Sequence, residues 1–163
     1  MQPPIGNIDI LKKRKIGFLA SSHVAPLAVL PTLDWAAQMA QRDDVAIMSG
    51  FSSQTERDVL SFLSKGKCGI ILVLARSHYK QLPAGLLQLL NDERLLIIST
   101  STLARQCKKT AYQRNEYICE HAELVFVPTH PVETSSLFVL LRDHNNVEYL
   151  DHHSNEDNSC RAT

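Results

Sequence analysis

Apolar residues along the chain gather in short, strand-sized runs, and the segments between them carry apolar positions at three- and four-residue spacing. Lys15–Ala20 (KIGFLA) predicts a first buried strand, because a strand covered by helices on both faces reads as a continuous apolar run. Further strands are predicted at Val45–Met48, Gly69–Ala75, Leu95–Ser99 and Leu124–Val127, with an edge strand at Val147–Leu150. Pro26 and Pro31 are expected in the loop after the first strand, and Pro31 is expected to open a helix over Thr32–Arg42. Proline suits a first helical position because the amide it lacks has no partner there. A second helix is expected over Gln54–Ser64, started by Ser53 and Glu56 at capping-box spacing. Shorter helices are expected at Leu86–Leu90 and Ser135–Arg142, and a longer one at Ala111–His121.

Strand alternating with helix implies right-handed crossovers between parallel strands. The fold class is therefore α/β, a three-layer Rossmann-like domain with a mainly parallel sheet. Residues 1–142 are read as that one domain, and residues 143–163 as an acidic, flexible tail. Ligands of such sheets bind beyond the carboxyl ends of the strands. Four loops matter most on that ground: 21–26, 49–55, 76–82 and 100–110.

Composition narrows the classes. The 163 residues are 44% hydrophobic, enough for a full core. No apolar run reaches the roughly 18 residues of a membrane span, and Met1–Asp9 has no apolar signal core, so a cytoplasmic protein without membrane contact is expected. The 17 basic and 17 acidic side chains cancel. Residues 142–163 nonetheless carry two basic against five acidic side chains, which leaves the rest of the chain at +3. A mildly basic body can hold a short nucleic acid or a nucleotide. The four cysteines show no C-x-x-C spacing and are read as reduced thiols, Cys68 and Cys119 in the core.

Candidate chemistry is phosphate recognition. Neither G-x-G-x-x-G nor the P-loop pattern is present. Ser21 and Ser22 follow the first strand and offer hydroxyl donors. Ser49-Gly50-Phe51-Ser52-Ser53 leads from the second strand into a helix start. Gly50 allows positive φ or close backbone approach, and free amides at the helix start can bind an anion. Arg105, Lys108, Lys109 and Arg114 form a basic cluster, with Asn115 beside Arg114. Arginine pairs bidentately with phosphate. Lys12 and Lys13 precede the first strand, and Tyr79 and Tyr112 offer rings for a base to stack on. A plain polar turn, a capped helix or a solvated helix face accounts for each feature taken alone. His144, Asp151, His152 and His153 do not make a convincing metal site, G-x-S-x-G is absent, and no catalytic residue, metal or cofactor is expected.

Three segments together resemble the DNA-processing protein A (DprA/Smf) family. Val45–Leu60 (VAIMSGFSSQTERDVL) is similar to the family's strand–S-G–loop–helix element. Arg114–Val127 (RNEYICEHAELVFV) is similar to its R-N-R-x-I element with the strand that follows, and Lys15–Ala20 stands where the family has a strand ending in G-S-R. The resemblance frames residues 15–127 and implies a Rossmann-like domain of the SMF/DprA–LOG type. It also implies non-catalytic binding of single-stranded DNA and handover to a recombinase during DNA uptake. Carried over by position, Ser49, Gly50, Ser52 and Ser53 would line a phosphate pocket completed by Arg114 and Asn115. Ala20-Ser21-Ser22 replaces G-S-R, and Glu116 replaces the second arginine of R-N-R. Fewer cations keep a sensor of a small nucleotide-derived ligand as the alternative. A phosphoribohydrolase is the enzymatic rival, and its P-G-G-x-G-T motif is absent. Leu82–Leu90 and Leu137–Leu141 could serve a homodimer or, the better reading, the core.

Overall fold

The computed structural model describes residues 2–150. Seven strands form one sheet: β1 (Ile5–Gly6), β2 (Arg14–Phe18), β3 (Val45–Ser49), β4 (Gly69–Leu74), β5 (Leu95–Ser99), β6 (Leu124–Val127) and β7 (Val147–Tyr149). Their order across the sheet is β1-β5-β4-β3-β2-β6-β7. Every pairing is parallel except β1 with β5. The chain runs outward from β2 to β5 and then returns to place β6 on the other side of β2, so the topological switch point lies between β2 and β6. The sheet is therefore mainly parallel, and the Rossmann-like expectation holds.

Helices cover both faces. Ile47, Ile70, Leu72 and Ile97 point to a face packed with residues of α1 (Pro26–Ala40), α2 (Gln54–Ser64) and α3 (Ala84–Asn91). Met48, Ile71, Val73 and Leu96 point to the opposite face, packed with residues of α4 (Lys108–His121) and α5 (Ser136–Arg142). The strands alternate faces residue by residue while staying apolar throughout, as burial on both sides demands. Trp35 of α1 stacks on Phe126 and Phe18 at centroid distances of 4.5 and 5.4 Å, tying α1 to β2 and β6.

Most elements fall where the pattern placed them; α1 does not. It starts at Pro26, six residues earlier than expected, and Pro31 lies inside it. Proline at that point deprives the Leu27 carbonyl of an amide partner. Leu27 is 92% exposed, so water can take its place. A 3-10 turn at Ile8–Lys12 and the two-residue β1 were not anticipated. Ile10 of that turn is buried in the core. The segment expected to be a tail from 143 onward contributes β7, paired with β6, and 151–163 lie outside the described residues. Leu89, Leu140 and Leu141 are buried within the domain. No helix among the described residues is long and apolar enough to cross a membrane.

Candidate nucleic-acid interface

Ser49 ends β3, buried, and its Oγ accepts the Phe51 N–H at 3.1 Å. This bond helps hold Phe51 at φ 45°, a left-handed conformation that costs a bulky side chain on the order of 1–2 kcal/mol. Positive φ at this turn thus belongs to Phe51 and not, as the sequence suggested, to Gly50. Gly50 serves the other purpose, close approach. A Cβ there would collide with Nη1 of Arg114.

Ser53 caps α2, accepting the Glu56 N–H at 3.3 Å. Glu56, 4% exposed, does more than close the box. Its Oε1 accepts the amides of Ser52 and Ser53 at 3.0 and 3.1 Å, and its Oε2 accepts the Ala20 amide at 3.1 Å. A carboxylate of the protein itself therefore sits where free amides were expected to take an outside anion. The loop amides of Ser52 and Ser53 are thus used within the protein, as is the Glu56 amide of the first helical turn.

Arg114 faces this carboxylate from α4 and is 5% exposed. Its Nε donates to Asn115 Oδ1 at 2.9 Å. Burial pulls its pKa down, opposed by attraction to Glu56, and a guanidinium stays charged nonetheless. A cavity of about 280 Å³ opens beside it at the carboxyl ends of β3 and β4, lined by Gly50, Ser52, Arg57, Arg76, Tyr79 and Gln106 among others. Arg57 donates to Ser52 O and to Gln54 Oε1, the latter at 3.0 Å. The Arg76 guanidinium lies over the Tyr79 ring, 4.5 Å from its centroid, so one ring face is taken. Gln106 Nε2 donates to Ser52 Oγ at 3.3 Å.

The candidate residues are sorted into separate places. Gly50, Ser52 and Arg114 meet at the arginine-lined cavity, and Tyr79 joins them. Ser53 is spent as the cap, and Ser49 supports the turn. Asn115 and Lys108 line a cavity of about 480 Å³ between α4 and α5, with Tyr112 and Ser135. Ser21 and Ser22 line a third, of about 360 Å³, with Thr129 and His130 near the switch point. Arg105 and Lys109 are exposed around the start of α4. Lys12 and Lys13 precede β2 and stand at the amino edge of the sheet, opposite these cavities, with Lys12 paired to Asp9 at 3.0 Å. The sequence reading missed Arg57, Arg76 and Gln106. Arg76 carried a positional signal, lying two residues past the end of β4. No group of His, Cys, Asp or Glu able to hold a metal occurs among the described residues; Asp151, His152 and His153 lie outside them.

An α/β domain with a mainly parallel sheet in this strand order belongs structurally among Rossmann-like folds. Among solved structures, its fold is that of DNA processing protein A. The chain superposes on that protein from Helicobacter pylori, whose structure was described for its single-stranded DNA binding mode, with a TM-score of 0.65 at 16% identity, over 85% of this chain and 64% of that one. On DNA processing protein A from Streptococcus pneumoniae the TM-score is 0.66 at 16% identity, over 85% of this chain and 49% of that one. The chain thus spans less than two thirds of the length of either protein. No protein-family model matches the sequence, and no curated protein matches it.

Proposed function

We propose that this domain binds single-stranded DNA, without catalysis, at the carboxyl edge of its sheet. One observation carries the proposal: Arg57, Arg76 and Arg114 converge with Gly50 and Ser52 on a single cavity, in a fold shared with DNA processing protein A, which in Helicobacter pylori binds single-stranded DNA. Phosphate contacts dominate nucleic-acid affinity. The arrangement puts fixed cations where a phosphate fits, and the Glu56 carboxylate satisfies the loop amides so that they need no ligand to hold their shape. Lys108, Lys109 and Arg105 extend positive charge along the same edge, at the N-terminus of α4, whose first turn has no acidic residue. Protection of a strand and its delivery to a recombinase belong to this proposal, as does a cytoplasmic setting.

The size of the cavity supports a second reading, a mononucleotide-type ligand in the same place. Fluorescence anisotropy separates the two. Labelled oligo-dT is titrated at 50 and 300 mM salt, with a duplex control and with AMP as competitor. The DNA reading predicts salt-sensitive binding of the single strand that weakens about tenfold in Arg76→Ala and resists millimolar AMP. Displacement by micromolar AMP would favour the mononucleotide. Arg114→Ala is less informative, since Arg114 is buried against Gly50 and faces Glu56.

A further inference from the structure

Residues 2–7 lie along the edge of the sheet and reach beyond it. β1 pairs antiparallel with β5, Ile5 opposite Ile97 and Gly6 opposite Leu96, which covers an edge that would otherwise stand open. Gly6 sits at φ 110°, and a Cβ there would collide with the Leu95 carbonyl, so the backbone passes flush against β5. Toward the amino edge the segment is fastened by Asn7, whose amide donates to Leu95 O and whose Nδ2 donates to Glu93 O, both at 2.9 Å. Toward the carboxyl edge it runs past the ladder to His78, in the loop after β4. The His78 amide donates to Gln2 Oε1 at 3.1 Å, and its ring Nε2 lies 2.9 Å from Pro3 O. A carbonyl only accepts, so Nε2 carries the hydrogen. Nδ1 is buried and has no hydrogen-bond partner among the described residues, so the bond to Pro3 is the polar role of this ring. Covering the edge of β5 requires neither of the bonds to His78.

We infer that residues 2–6 form a strap that holds the loop after β4 in shape for phosphate, with His78 as the positioning residue. The inference rests on the DNA-binding reading and adds to it what keeps the cation of this loop in place. Arg76 and Tyr79 flank Ser77 and His78, and both line the arginine-lined cavity. The first half of the loop is fixed from the sheet side: Ser99 Oγ donates to Arg76 O at 2.7 Å, and the Ser77 amide donates to Leu103 O at 2.8 Å. His78 comes next and is gripped by the strap, through its amide and its ring. Tyr79, the ring under the Arg76 guanidinium, follows directly. A long side chain ordered in advance binds an anion more tightly, because less rotamer freedom is then lost on binding. The strap is built to be stiff. Pro3 and Pro4 fix their own φ, and each holds the residue before it extended, so Gln2 and Pro3 reach His78 from a segment that is already straight. Residues 2–6 carry no acidic side chain to compete with a strand for the arginines.

Loop order and DNA affinity are measured separately. Hydrogen exchange of the peptide covering 76–82 is followed by mass spectrometry in the wild type, His78→Leu, His78→Gln and Gln2→Ala. Leucine removes the donor to Pro3 O, while the glutamine Nε2 can stand where the ring Nε2 does. Exchange in 76–82 is expected to speed up in His78→Leu and, to a smaller extent, in Gln2→Ala. It should return toward the wild type in His78→Gln and stay unchanged in β3 and β4. The same proteins are titrated with labelled oligo-dT. His78→Leu is expected to weaken binding about fivefold, the scale of one hydrogen bond, and His78→Gln to restore it. Made in an Arg76→Ala background, His78→Leu should cost nothing further, because His78 acts through Arg76. Unchanged exchange in both His78→Leu and Gln2→Ala would overturn the strap. Faster exchange with unchanged oligo-dT affinity, or equal losses with and without Arg76, would overturn the positioning role, while loss of affinity in Arg76→Ala would leave the DNA reading standing. A wild type that binds no oligo-dT would overturn the DNA reading and with it the positioning role, whatever the exchange shows.

Discussion

The two ends of α2 meet the same backbone problem with opposite charges. At the C-terminus, Arg94 donates to the carbonyls of Leu63, Ser64 and Cys68 at 2.7, 2.9 and 3.0 Å. At the N-terminus, Glu56 accepts from the amides of Ala20, Ser52 and Ser53. Each places a charge where the helix dipole favours it. The surroundings differ. Arg94 is a closed device whose three donors all end on backbone. Around Glu56, two further guanidiniums, Arg57 and Arg76, line an open cavity. An internal carboxylate accepts the loop amides that precede the helix, and arginines from α2 and from beyond β4 line the open cavity where the proposal places an external anion. A helix start with donor-rich sequence is thus not by itself a ligand site; what remains unspent after the cap is made decides.

The largest break in this comparison is Glu56→Ala. It strands three amides and removes the buried carboxylate facing Arg114, a loss of roughly 3–5 kcal/mol. Urea denaturation should show the midpoint falling with little change in slope. Arg94→Ala should cost less, about 2 kcal/mol, because its groups are only partly buried. It should leave oligo-dT affinity as in the wild type, which would separate the closed end from the open one.

Thiol chemistry sharpens the same contrast. Cys107, exposed before α4 at the open edge, has its pKa lowered mainly by hydrogen bonds from Thr110. Burial pushes Cys68 up, and Cys119 up to about 12. A lowered pKa means more thiolate at a given pH, and thiolate is the form that reacts. Alkylation at pH 8, followed by peptide mass spectrometry, should modify Cys107 well before Cys68 or Cys119. The smallest effect is expected from Lys12→Ala. That side chain is exposed at the amino edge, so oligo-dT binding should change by less than twofold.

The sheet was legible because its strands are apolar on both faces, and β5, β6 and α2 fall on the residues their pattern marked. The start of α1 was not, since Pro31 reads locally as a helix opening and only the exposure of Leu27 lets the helix run through it. At the site, the Ser53–Glu56 box was visible as spacing. The bond from Ala20 to Glu56 joins residues 36 apart and leaves no local trace. Arg57 looked like one more charge on a polar helix face, and its place at the cavity depends on how α2 docks beside β4. The separation of Lys12 and Lys13 from the basic cluster at the start of α4 follows from strand direction, which composition does not carry.

The salt dependence of oligo-dT binding tests the central claim most directly. The logarithm of affinity is plotted against that of salt concentration for the wild type and for Arg57→Ala/Arg76→Ala. Each phosphate contact on a single strand contributes a slope of about −0.7. If these arginines hold phosphates, the double variant loses about 1.4 from the magnitude of the slope, with thermal stability unchanged. An identical slope in the two proteins would mean that the strand, if bound at all, lies elsewhere, and would contradict the account.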